Sequence, residues 1–263
     1  MNRHVPHQNS FKVAKKYDKW QTCVLWTSTA LTVLSITLNN INQPLLFTFQ
    51  RVSLINWVNS FASCFAVFYI VLDILINDKF YLSGVEKRLD LIDHAYDKNF
   101  SGDKSVGYFN AQGVPIGLYK LAVQSFENSL FTSTIAKKMA ARKWWMAGFI
   151  FTVFLISACL GNKDLVNNIL QIAATGVLIQ QTIRLQQFAN RMGNIHADFK
   201  MLFTIMKDEA NKSKYDGEMI KNILDYECTH SWGSILLNDK IFNKQNTELS
   251  EKWEGMKKGY NIS

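Results

Sequence analysis

The chain has 263 residues, 48% of them hydrophobic, 13% aromatic and only 19% charged, with a formal net charge of +8. Its mean hydropathy of −0.04 conceals an uneven distribution: charges are missing from several long windows and crowded into others, which excludes an ordinary single soluble domain. The 18 Phe, 9 Tyr and 7 Trp exclude a disordered chain, which has no core to place them in.

Residues 1–19 form a basic flank with Arg3, Lys12, Lys15, Lys16 and Lys19. The first charge-free stretch, Trp20 to Leu38, would span about 28 Å as a helix, close to a bilayer core of roughly 30 Å. It starts late and runs into Asn39-Asn40-Ile41-Asn42 rather than a small-residue cleavage site, so it reads as a membrane helix and not a signal peptide. Leu54 to Ile76 is the second, with Trp57 near its start and Asp73 close enough to its end to reach headgroups. Residues 20–76 are therefore expected to form a membrane hairpin.

Residues 77–143 read as a cytosolic helical insert. Val85, Leu89, Ile92 and Tyr96 give an amphipathic period, and Leu121, Phe126, Leu130, Ile135 and Met139 give a second one leading into Arg142. Between them Gly102, Gly107, Gly113 and Gly117 punctuate a loop; they match neither GxGxxG nor a Walker A loop, and turn chemistry accounts for them.

Trp144 to Leu160 is the third apolar stretch, its paired indoles suited to the interface. A short turn, Gly161 to Asp164, leads to Leu165–Ile183, which is free of charge but rich in amides. Residues 144–183 are expected to form a second hairpin, with a buried soluble helix as the other reading of the fourth segment. Lys and Arg flank the spans at the N-terminus, at Lys137, Lys138, Arg142 and Lys143, and at Arg184 and Arg191, against only Arg51 and Lys163 on the opposite side. That asymmetry places both termini and the middle insert in the cytosol.

Residues 184–263 form the amphipathic tail. Leu185, Phe188, Met192, Ile195, Phe199, Leu202 and Met206 recur at alternating spacings of three and four. Two readings stand open: a coiled-coil seam between copies of the chain, or one helix packing on its own domain. Projected backwards, the same face passes Gln181 or Thr182, Leu178, Ala174 or Thr175, Gln171, and Asn167 or Asn168, with Asn168, Gln171, Thr175, Leu178 and Thr182 as the candidate lining residues. Such a helix could line a pore; alternatively its amides hold helices together within one subunit.

Catalytic constellations are not evident. The five histidines include no HExxH, no Ser sits in a GxSxG turn, and no CxxC pair indicates zinc or a disulfide framework, so no cofactor or metal is expected. Juxtamembrane Lys and Arg account for the positive charge without a nucleic-acid polymer. Lys87, Arg88, Lys137, Lys138 and Arg142 supply donors for a small phosphate-bearing ligand, with Phe126 as a stacking surface.

Three stretches, VEKRLDLIDHAYD (Val85 to Asp97), SFENSLFTSTIAKKM (Ser125 to Met139) and LLNDKIFNKQNTELSEKW (Leu236 to Trp253), together with the two-hairpin layout, resemble the bacterial four-transmembrane effectors associated with cyclic-oligonucleotide synthases. The resemblance implies an all-α, four-span protein of the bacterial inner membrane. It further implies a homo-oligomeric pore in anti-phage defence, opened by a cyclic oligonucleotide. The competing expectation is a membrane-anchored scaffold that binds a protein partner and conducts nothing.

Overall fold

The computed structural model describes residues 7–40, 48–106, 113–159 and 165–262. Among them are six helices and no strand: α1 (His7–Asn40), α2 (Thr48–Tyr96), α3 (Leu118–Cys159), α4 (Leu165–Ile205), α5 (Asp216–Gly233) and α6 (Asp239–Gly259), with one 3-10 turn at Lys212–Tyr215 before α5. The all-α class expected from the long periodic stretches is the class observed.

Local chemistry sets the ends of these helices. At the start of α6 the Asn238 side chain accepts from the amides of Lys240 and Ile241, while Lys257 and Lys258 lie in the last turn, where cations favour the exposed carbonyls. The acidic residues Asp216 and Glu218 open α5, and Ser234 closes it in the left-handed region at φ 47°. Past the end of α2, Asp97 takes a positive φ of 51° and the Lys98 amide returns to the Asp93 carbonyl.

The chain divides into two compact units, and the divisions fall inside the four long helices. Unit 1 comprises Met1–Lys12, Lys79–Ala141 and Arg184–Ser263; unit 2 comprises Val13–Asp78 and Arg142–Ile183.

Unit 1 has an ordinary apolar interior. Phe126 and Leu130 of α3, Phe188, Met192, Phe199 and Phe203 of α4, Met219 and Tyr226 of α5, and Leu249 and Trp253 of α6 are all buried in one cluster. Phe126 is its hub: its ring stacks on Phe199 at 5.7 Å and Phe203 at 5.0 Å, and meets Trp253 edge-on at 5.3 Å. The seven-residue stripe Leu185, Phe188, Met192, Ile195, Phe199, Leu202 and Met206 is buried in this same cluster. The expectation of an oligomer seam is corrected accordingly. The stripe meets helices of its own chain, and side chains already removed from water have no apolar area left to offer a second copy.

Unit 2 is built the other way round. Its interior carries polar pairs: Gln21 donates to Asp73 at 3.0 Å, Ser35 donates to Asn59 at 2.8 Å, and the Gln181 amide donates to the Tyr69 hydroxyl. Its surface carries large apolar side chains, with Trp57, Val67, Ile70, Ile74 and Phe149 each 60% or more exposed. Leu178 and Thr182 are buried in the interior, and the Thr182 hydroxyl donates to the Leu178 carbonyl. Their expected pore-lining position is thus corrected: in the single chain both side chains are buried. Asn168, Gln171 and Thr175 sit on the helical backbone of α4, but their side chains lie outside the described residues. One helix among the described residues, Val52–Tyr96, is long and apolar enough to cross a membrane, with a mean hydropathy of 1.9 in its most apolar window. The four-span arrangement asks for more than that one helix.

Candidate functional site

The polar chemistry of unit 1 falls into three clusters. The first lies at the end of α2. The Asp93 carboxylate, itself buried, accepts from the Phe100 amide at 2.7 Å and from the Ser101 amide and hydroxyl at 2.8 and 2.6 Å. Burial raises its pKa, but the hydrogen bonds from Ser101 and Phe100 outweigh that and hold it below the usual carboxylate value. Beside it, Asp90 accepts from the Ser105 amide at 2.9 Å, and His94 Nε2 lies 2.8 Å from the Ser105 carbonyl. Although Asp90, His94 and Ser105 are the residue types of a hydrolytic triad, their geometry differs from one. The Asp90 carboxylate (3.5 Å) and the Ser105 hydroxyl (3.2 Å) approach the same ring nitrogen, Nε2, whereas a relay needs them on opposite nitrogens. This cluster fixes the loop after α2.

A second cluster joins α2 to α5. Arg88 donates to the Ser231 hydroxyl at 2.9 Å and lies 3.9 Å from Glu227. Burial raises the Glu227 pKa, opposed by Lys87 and Arg88. His230, fully enclosed between Phe80 (5.5 Å) and Tyr226 (6.1 Å), is held neutral, first by burial and then by the same two cations. Arg88, expected with Lys87 as a ligand donor, is thus directed at α5 residues of its own unit.

The third cluster gathers residues of α3, α4 and α6. Ser129 donates to the Phe126 carbonyl at 2.7 Å, and His196 Nδ1 lies 3.1 Å from the Ser129 hydroxyl oxygen. Phe126 is 5.2 Å from the His196 ring. Burial pushes the imidazole pKa down to about 4, with Lys200, Lys252 and Lys137 adding to the effect in that order. The Lys137 ammonium lies over Gly193, one turn before His196, where a β-carbon would stand 3.2 Å from Nζ. Lys138 turns to the other side and donates to the Gln245 side chain of α6.

The expected ligand set is therefore split. Lys137 faces α4, Lys138 is bound to α6, Arg88 serves α5, and Arg142 belongs to unit 2. Phe126 is fully buried among other rings and is not a stacking platform for a ligand, which corrects that expectation. Lys200 and Lys252 were not singled out from the sequence. Gly193, His196 and Lys200 do share one stripe of α4 at spacings of three and four, whereas Lys252 lies far along the chain on α6 and bears on His196 only through its charge. Among the described residues no group of three His, Cys, Asp or Glu could hold a metal ion. Comparison of the chain with family models, curated proteins and solved structures returned no match.

Proposed function

We propose that the protein is a helical effector of the bacterial inner membrane. In this reading unit 2 crosses the bilayer with four segments, both termini are cytosolic, and unit 1 is a cytosolic receptor for a cyclic oligonucleotide, the ligand class implied by the family resemblance. Ligand binding changes the permeability of the membrane, with several copies acting together.

The supporting observation is the inverted construction of unit 2. Its amides, hydroxyls and the Asp73 carboxylate pair inside, while Trp57, Val67, Ile70, Ile74 and Phe149 point outward. In water that surface is an aggregation-prone patch; in lipid it is the low-energy arrangement, since hydrocarbon solvates the apolar side chains and polar groups find partners only between helices. Conduction requires the amide pairs within one protomer to exchange for water or for copies. A ligand that moves this equilibrium from 1:99 to 99:1 must favour the open form by about 5.5 kcal/mol.

The same internal pairs favour a second reading, a non-conducting membrane-anchored scaffold for a protein partner. Dye and ion flux from liposomes containing the purified chain, with a panel of cyclic di- and trinucleotides, decides between them. Leakage triggered by one member and lost in the Gln171→Leu/Thr175→Leu variant supports the effector. Vesicles that stay tight under the whole panel leave the scaffold.

A further inference from the structure

Two arginines of α4 meet a single residue of α5. Arg184 Nη2 donates to the Trp232 carbonyl at 3.0 Å, and the Arg191 guanidinium lies 4.2 Å from the centre of the Trp232 ring. Seven positions separate the two arginines, about 10.5 Å of rise on one helix face, and their shared contact gathers both side chains at the last turn of α5. At the preceding residue, Arg88 of α2 donates to the Ser231 hydroxyl at 2.9 Å. Guanidinium groups from two helices therefore meet two consecutive residues of a third.

The charge there is unbalanced. Glu227 stands 3.9 Å from Arg88 and answers that cation. Neither Arg184 nor Arg191 is in an ion pair among the described residues. The carbonyls that end a helix carry about half a negative charge, enough to attract one guanidinium but short of neutralising two. Donors are left over as well. Arg184 gives one N–H of five to Trp232, and Arg191 stacks by its face, a contact that consumes no N–H.

We propose that Arg184 and Arg191, placed by Trp232, form a binding site of unit 1 for a phosphodiester. The planar fork of a guanidinium matches two oxygens of such a group, and its fixed charge needs no titration. Two sources carry this chemistry. A nucleotide adds a base, for which the exposed indole of Trp232 (40%) and the outer face of the Arg191 guanidinium are stacking surfaces. An anionic lipid adds proximity, since Arg184 is the first charge after residues 165–183, the stretch assigned to the bilayer above. With a nucleotide as occupant the site rests on the receptor reading and names its contacts; with a lipid it rests on the membrane assignment alone.

The test has two arms on the full chain in micelles: isothermal titration with cyclic di- and trinucleotides, and native mass spectrometry with added phosphatidylglycerol or phosphatidylcholine. Binding of the occupant should weaken at least tenfold in Arg184→Gln/Arg191→Gln. Trp232→Ala, which leaves the net charge unchanged, should weaken it at least threefold, whereas adsorption to a merely basic surface would not respond. Lys138→Gln, whose lysine is already held by Gln245, should stay within twofold. Helix content and melting temperature are measured for each variant, and Arg184→Lys/Arg191→Lys, which keeps the charge and loses the fork, should fall between wild type and the glutamine pair. Nucleotide binding lost in the glutamine pair supports both the site and the receptor reading. Retention of phosphatidylglycerol over phosphatidylcholine, lost in the same variant, supports the site with a lipid headgroup as its occupant. Nucleotide binding that the variant keeps in full overturns the site and spares the receptor reading. A wild type that holds neither ligand, or affinities insensitive to Trp232→Ala and to both arginine pairs, overturns the site.

Discussion

The Phe188 ring of α4 lies directly on Gly233, the last residue of α5, so that a β-carbon there would stand 2.7 Å from Cε2 and closer still to Cδ2. Phe188 is fully buried among core side chains, so the ring cannot swing aside. Gly233→Ala should therefore destabilise unit 1 by about 1–3 kcal/mol, the usual range for overpacking a filled core. Thermal unfolding of the variant checks this, and Phe188→Leu should recover part of the loss when combined with it. A Gly233→Ala protein with unchanged melting would mean the helices are not packed this closely.

Glu127 and His196 pull the pH dependence of unit 1 in opposite directions. Burial raises the Glu127 pKa to about 7, opposed by Lys257 and reinforced by Glu254. Its stabilising contribution is fully present below pH 4.5 and is lost as pH rises through about 7. The depressed His196 pKa acts the other way: its contribution is present above pH 6.5 and lost as pH falls through about 4. Glu127→Gln should match the wild type near pH 4.5 and melt a few degrees higher at pH 8, given about 2–4 °C per kcal/mol for a chain of this size. Melting curves from pH 4 to 8 read this out, and a difference that does not change with pH would remove the assignment.

Asp93 is the anchor of the loop that follows α2. Replacing it with Ala leaves the Phe100 and Ser101 amides without their acceptor, at a cost of about 2 kcal/mol on the scale of hydrogen bonds to charged groups. Amide hydrogen exchange at residues 98–105 should accelerate at least tenfold in Asp93→Ala. Asp93→Asn, which keeps an acceptor oxygen, should fall between the two.

Within unit 2, the pair formed by Gln181 and Tyr69 ties α4 to α2. Gln181→Leu and Tyr69→Phe should each destabilise the solubilised protein by about 0.5–1.5 kcal/mol, and the double variant should cost little more than either single one. A double-mutant cycle on urea or thermal unfolding measures the coupling. Strict additivity would show that the two side chains do not interact.

Much of the helical framework was readable along the chain. Charge-free stretches bounded by Lys and Arg, and spacings of three and four, carry the same periodicity that helices express, so α2, the start of α3 and the stripe from Leu185 to Met206 were legible as helix. Periodicity says which face of a helix is apolar, but not what lies against that face. The stripe fitted a second copy and its own domain equally well, and only the positions of α3, α5 and α6 decided for the latter. The amides of the fourth segment posed the same ambiguity, resolved at Gln181 by a partner more than 100 positions away in sequence. Lys137 and Lys138 are neighbours in sequence, yet adjacent residues on a helix point about 100° apart, so one meets α4 and the other α6.

The sequence by itself determined that the chain is helical, that charge and apolarity are segregated along it, and where positive charge gathers, because these depend on composition and on near neighbours. The tertiary structure decided that the heptad stripe is interior, that Phe126 is a core hub and not a ligand platform, and that Lys137 lies against Gly193, one turn from His196. Those relationships join residues from helices distant in the chain, and packing free energy, which has no local signature, selects which helices meet.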